Sequence, residues 1–200
     1  MESKPKTSRQ LQAERTKHHI YETARDLIIK KGFDNVTIDE ICRTAKISKG
    51  LFYHYFNSKD EIIILEGYSE CDHYFDTEVR NNLKKENHLE RMIEFIDYQI
   101  LYADNLGIEL ITQAYKSQIQ YGNIFFTSEG RTLPSILKDI IVEGQNRKEI
   151  TSELDPDYIT NYILRFSRGL IYDWCLHDGS YNLKESAHEA LERLVQLFKP

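Results

Sequence analysis

The sequence lacks what a secreted, membrane-spanning or sheet-built protein relies on. Its cysteines are Cys42, Cys71 and Cys175, odd in number and far apart, so they form no disulfide framework and suit a reducing compartment. Its longest purely aliphatic run is Ile62 to Leu65, far below the ~20 residues that cross a bilayer. The basic N-terminus MESKPKTSRQLQ has no apolar stretch of ~7 residues or more behind it and is no secretory signal. A cytoplasmic protein with no membrane contact is expected. Sustained period-two alternation is missing, as are hairpin dipeptides between β-branched runs, and this argues against sheet. G-x-S-x-G, P-loop and G-x-G-x-x-G runs are missing too, and His188-Glu189 is followed by Glu192 where a zinc-protease helix needs a second histidine. A helical enzyme is therefore a remote alternative, and no cofactor is expected.

What is present points to a folded, all-α chain with a divided charge. The hydrophobic share of 40% and the 13 tyrosines argue against disorder. Residues 1–60 hold 12 Lys and Arg against 8 Asp and Glu, whereas residues 61–200 hold 14 against 24. A basic front on an acidic body implies that a polyanion is met at one end. The first helix is predicted over about 10–31, with Ile20, Ala24, Leu27 and Ile28 on one face and Gly32 closing it. Thr37 with Glu40, and Ser58 with Glu61, have the spacing of capping boxes and open further helices at Ile38 and Lys59. The second of these is read as one helix through Val79. Five more are predicted over about 88–104, 107–122, 134–147, 156–177 and 184–198, broken by Gly, Asn and Pro clusters.

Residues 47–61, ISKGLFYHYFNSKDE, crowd four aromatics, a histidine and two lysines into an otherwise acidic chain. Ser48 can cap a very short helix there. On it Phe52 and Phe56 fall together as an anchor, Gly50, Leu51 and His54 point away, and Tyr53 and Tyr55 flank them. Two short helices joined by a three-residue turn, the second anchored in this way, form a helix-turn-helix whose second helix enters the major groove. Gly50 then permits close approach of the backbone to DNA, Lys49 reaches a guanine edge or a phosphate, and Tyr53 and Tyr55 offer hydroxyls to phosphates. Lys59, at a helix N-terminus, is expected to grip a phosphate.

The segment Thr16 to Asp60, above all TIDEICRTAKISKGLFYHYFNSKDE, resembles the DNA-binding domain of TetR-family transcriptional regulators. Ser48, Gly50, Phe52, Tyr53, Tyr55, Phe56, Ser58 and Lys59 stand where that family's telling run, a variant of S-x-G-x-[LF]-Y-x-[HY]-F-x-[ST]-K, has its marked positions. Thr37 stands where the family commonly binds a phosphate. Leu51 departs from the small or polar residue frequent at its place, which suggests contact with a thymine methyl. The resemblance implies a flexible basic arm over 1–9, a DNA-binding domain over 10–60, and an effector-binding and dimerisation domain over 61–200. It also implies a repressor that binds double-stranded operator DNA as a homodimer and answers to a small molecule.

Periodicity supplies candidates for the remaining roles. Apolar stripes in the last two helices place Ile163, Phe166, Leu170, Ala187, Leu191, Leu194 and Phe198 at an expected dimer interface. Phe95, Tyr98, Tyr102, Tyr115, Gln118, Phe125, Phe126, Phe166 and Trp174 are candidate pocket residues for an aromatic or amphipathic effector. The helix that opens at Lys59 is expected to be the lever joining pocket to DNA. Cys71-x-His73 and Cys175-x-His177 raise the alternative of a metal-responsive regulator. Residues two apart on a helix diverge, however, and no metal is expected.

Overall fold

The computed structural model describes residues 7–121 and 130–200, and within them the chain is built of helices. These are α1 (Ser8–Lys31), α2 (Ile38–Ala45), α3 (Lys49–Tyr55), α4 (Lys59–Tyr74), α5 (His88–Leu106), α6 (Ile108–Tyr121), α7 (Thr132–Asn146), α8 (Pro156–Leu176) and α9 (Leu183–Leu194). None is long and apolar enough to cross a membrane, among the described residues. Side-chain caps set most starts. Thr7 and Gln10 exchange bonds in a full capping box at α1, so Ser8 and Arg9, expected in the flexible arm, are helical. Thr37, Ser48 and Ser58 accept from Glu40, Leu51 and Glu61 N–H respectively, as their spacing predicts. The Glu61 carboxylate accepts from Asn57 N–H. The helix expected to reach Val79 ends instead in a π-helical turn, Phe75–Val79, where Arg80 N–H bonds to Phe75 C=O.

Two hydrophobic clusters form around these helices. The first gathers Ile20, Ala24, Ile28, Val36, Ile41, Phe52, Phe56, Ile62 and Ile63, together with Leu110 from α6. The second gathers Phe75, Met92, Phe95, Ile100, Leu137, Ile141, Ile163, Ile171, Leu191 and Phe198. Helix α4 serves both, with Ile62 and Ile63 in the first and Cys71 and Tyr74 packed on the second. Between α5 and α6, Gly107 at φ +82° takes a backbone region costly for side chains, and the turn there brings α6 back across α4. Among the described glycines the closest packing is at Gly144, where a Cβ would lie 2.7 Å from His88 Cβ and 2.5 Å from Ile150 Cδ1. Beside it the buried His88 uses its backbone N–H and its Nδ1, at 2.7 and 2.8 Å, to hold Glu149.

Candidate nucleic-acid interface and internal cavity

Helix α3 is too short to persist alone. Its place is fixed by Phe52 and Phe56, both buried, whose truncation to alanine costs about 3–5 kcal/mol each. The turn before it runs through Lys46 at φ +57°, with Lys46 and Ile47 N–H returning to Arg43 and Cys42 C=O. Thr37, Ser48, Lys49, Gly50, Leu51, Tyr53 and His54 are exposed as a result, and Tyr55 is half-buried. Tyr53 keeps 54% of its surface open to solvent, and Lys17 Nζ sits 6.0 Å above the Tyr55 ring. Lys49 is not idle in the free protein, because its ammonium pairs with Asp39 at 2.6 Å. Both partners are well exposed, and water screens such a pair strongly, so a stronger anion can take the lysine.

Gly50 has no neighbour that demands it. A Cβ built there would meet only Ser48 Oγ, at 3.9 Å, so no packing within the described residues accounts for a helix-weakening residue there. Lys59 is the opposite case. Its Nζ donates to Phe33 C=O and, at 2.7 Å, to Val36 C=O, and it rests 3.9 Å over the Phe33 ring. The lysine expected to grip a phosphate thus staples the first turn of α4 to the loop between α1 and α2. Two of its three donors are committed within the chain.

The residues expected at the dimer interface separate in the structure. Ile163, Ala187, Leu191 and Phe198 are buried within the single chain, because α8 packs on α7 while α9 and the 3-10 turn Val195–Phe198 that follows it pack on α5. They are intramolecular core, and this corrects the expectation for them. Phe166, Leu170 and Leu194 are half-buried against the same core. The outward face of α8 carries Tyr158, Tyr162, Arg165, Gly169, Tyr172 and Leu176, all exposed. Their alternating spacing of four and three is that of a coiled-coil seam. On α9 Ser186 is exposed and Ala190 and Leu194 are half-buried, and Leu197 is exposed in the 3-10 turn Val195–Phe198 that follows.

A cleft of about 910 Å³, its mouth included, lies among α1, α4, α5, α6, α7 and α8. Tyr102 and Tyr115 line it. Of the other candidates, Phe95 and Trp174 are buried in the second cluster, Tyr98 and Phe166 pack against that cluster, and Gln118 is buried on α6 outside the lining. Phe125 and Phe126 lie outside the described residues. Sequence reasoning missed Tyr21, Ile63, Tyr68, Leu110, Leu133, Arg131 and Arg168. The Arg131 guanidinium meets both Asp72 oxygens, at 2.6 and 3.0 Å, and lies 4.9 Å over the Tyr68 ring. Burial presses the Arg168 guanidinium below its ordinary pKa, and Tyr115 donates its hydroxyl to Arg168 C=O at 2.9 Å. Cys71 also lines the cleft, and burial pushes its thiol up to about 12. His73 is exposed and His177 bonds its own helix at Asp173 C=O. Among the described residues, no three His, Cys, Asp or Glu side chains converge as a metal site.

Helix α6 connects the cleft to the helix-turn-helix. Leu106, at the end of α5, and Leu110, Ile111 and Ala114 of α6 face the cleft. On the same helix Glu109 Oε1 accepts from Phe33 N–H at 2.6 Å, and Gln113 Nε2 donates to Asp60 Oδ1 at 2.5 Å. Phe33 is the residue whose carbonyl Lys59 holds, and Asp60 is the next residue of α4.

Residues 20–64 match the family of bacterial regulatory proteins called the tetR family. The HTH-type transcriptional repressor DhaR of Mycobacterium sp. (strain GP1) is 23% identical over 163 residues, 78% of this chain and 80% of that protein. The fatty acid metabolism regulator protein of Bacillus subtilis (strain 168) is 22% identical over 181 residues, 88% and 92% of the two chains. In fold, the chain is similar to the crystal structure of FadR from Bacillus subtilis in complex with stearoyl-CoA, with a TM-score of 0.64 at 23% identity over 89% of this chain and 97% of that one.

Proposed function

We propose that the chain is a DNA-binding transcriptional regulator of the TetR family, a ligand-responsive repressor which binds a palindromic operator as a homodimer. One observation carries the reading: α6 lines the cleft with one face and holds the helix-turn-helix through Glu109 and Gln113. A molecule entering the cleft presses on Leu110 and Ile111, and the same helix moves Phe33 and Asp60. The lever is therefore α6 acting with α4. The names of the curated relatives support repression. The stearoyl-CoA held by the Bacillus subtilis structure supports an effector with a long apolar body.

On the DNA, Lys49, Gly50, Leu51, Tyr53 and His54 are assigned to base edges, and Thr37, Ser48 and Tyr55 to phosphates. One α3 reads too few bases, whereas two held ~34 Å apart read a palindrome. The exposed seam of α8 and its neighbours on α9 are assigned to that pairing. The test begins with sites selected from random DNA and a screen for compounds that release the protein from them. Calorimetric titration of such a compound into free protein and into the operator complex should give different affinities, ~2.7 kcal/mol apart for a hundredfold release. Equal affinities, for a compound shown to occupy the cleft, would end the proposal. Glu109→Ala combined with Gln113→Ala should leave compound binding intact and shrink that difference at least tenfold.

A further inference from the structure

We propose that Asp39 sets the specificity of DNA binding by neutralising Lys49: it removes that lysine's charge from the sequence-blind attraction to phosphates and leaves its donors for the bases. This rests on the reading above that α3 enters the groove with Lys49 at a base edge. Residues 37–56 hold two carboxylates, Asp39 and Glu40. Glu40 is spent within the chain, its side chain 16% exposed and bound to Lys31 of α1 at 2.5 Å. The Asp39 side chain is 65% exposed, and its Oδ1 meets Lys49 Nζ at 2.6 Å. The pair thus joins the second residue of α2 to the first residue of α3, between Thr37, assigned to a phosphate, and Gly50, assigned to the bases.

An exposed carboxylate beside a polyanion weakens binding to every sequence alike. Attraction to phosphates counts net charge, through the counterions released. Asp39 and Lys49 together bring none, whether the pair stays closed or Lys49 swings to a phosphate and leaves the carboxylate bare beside it. Base readout counts donors instead. An ammonium has three, so Lys49 can keep Asp39 with one and give another to O6 or N7 of guanine, which are uncharged acceptors. The pair therefore lowers affinity for random DNA more than affinity for the operator. Asp39 also stands in the first turn of α2, where a carboxylate complements the helix dipole. That second role stabilises the free chain and is blind to DNA sequence, so the ratio of operator to random-DNA affinity separates the two.

The experiment uses the full chain, an operator duplex selected from random DNA and a random-sequence duplex of the same length, with binding followed by fluorescence anisotropy over a range of salt. Asp39→Asn should bind the random duplex at least fivefold more tightly and the operator less than twofold more tightly, so that selectivity falls. On the random duplex the slope of log K against log salt should steepen by about one to two units, for two lysines per dimer. In a Lys49→Met background the same substitution should shift both duplexes by one factor and leave their ratio within twofold. Asp39→Ser is the second variant should the first fail to fold. Equal tightening on both duplexes with Lys49 present, an unmoved affinity for the random duplex, a fall in selectivity that persists without Lys49, or lost thermal stability as the only change would each overturn the proposal. A parent chain that prefers no selected site removes the reading of α3 and this proposal with it, whereas a selective parent whose ratio ignores Asp39→Asn removes this proposal alone.

Discussion

Glycines separate positions the fold dictates from positions a partner dictates. Gly144 is required by its own chain, since any Cβ there would collide with His88 and Ile150. Gly50 has open space around it, so Gly50→Ala should raise the stability of the free protein by up to ~1 kcal/mol through helix propensity. The same methyl should lower operator affinity tenfold or more by holding the α3 backbone off the DNA. Chemical denaturation and a binding titration on one preparation check both signs, and unchanged operator affinity would place Gly50 away from the groove. Cys71 yields a second test at this scale. With its pKa pushed up to about 12 by burial, against ~8.5 for a free thiol, its thiolate fraction at pH 8 falls about a thousandfold or more. Iodoacetamide should therefore label it far more slowly in the native protein than in urea, with the native rate still climbing past pH 10. Labelling as fast as a free thiol would show that burial to be wrong.

Helices were legible where a polar cap met a periodic stripe, as at Thr37, Ser48 and Ser58. The π-helical turn at Phe75–Val79 was not, because an extra residue in one turn leaves the apolar spacing almost unchanged. The cleft was the least legible feature. A stripe of aromatics reads alike whether it faces packed atoms or empty space, so Phe95 and Trp174 looked as suitable as Tyr102 and Tyr115. Arg131 and Arg168 carry no apolar signal at all. The same ambiguity placed Ile163, Ala187 and Leu191 in a dimer interface, when α8 packs on α7 and α9 spends its stripe on α5. Lys59 marks a limit of a different kind, since a lysine's sequence position does not reveal which oxygen it reaches. Lys59→Met should strip a donor from Phe33 and Val36 C=O and destabilise the chain by about 1–3 kcal/mol. The slope of log K against log salt for operator binding should change by less than one unit. A slope two units shallower with stability unmoved would return Lys59 to the phosphates.

At the scale of the whole molecule, the exposed α8 seam is the feature one chain leaves unfinished. Tyr158, Tyr162, Tyr172 and Leu176 stand in solvent around Gly169, beside which a Cβ would find nothing within 4 Å. Gly169→Arg therefore costs the isolated chain nothing in packing and adds a bulky charge where the proposed pairing would bring a second α8. Light scattering at micromolar concentration should give a dimer for the parent chain and a folded monomer for the variant. Operator affinity should fall with the loss of the second α3. A dimeric variant would move the pairing surface elsewhere.

The cleft's walls belong to two constituencies. Ile63 and Leu110 line it and also sit in the cluster that holds the recognition helix, whereas Leu133, Pro134 and Ile171 line it without entering that cluster. Substitutions on the first side are pleiotropic, retuning DNA affinity whenever they retune the ligand. Those on the second side are free to vary. A lineage adapting this protein to a new chemical signal should accept changes on α7 and α8 before it accepts any at Ile63 or Leu110. Variants selected in the laboratory for altered inducer choice should divide in the same way: second-side mutants keep their uninduced repression, and first-side mutants lose it.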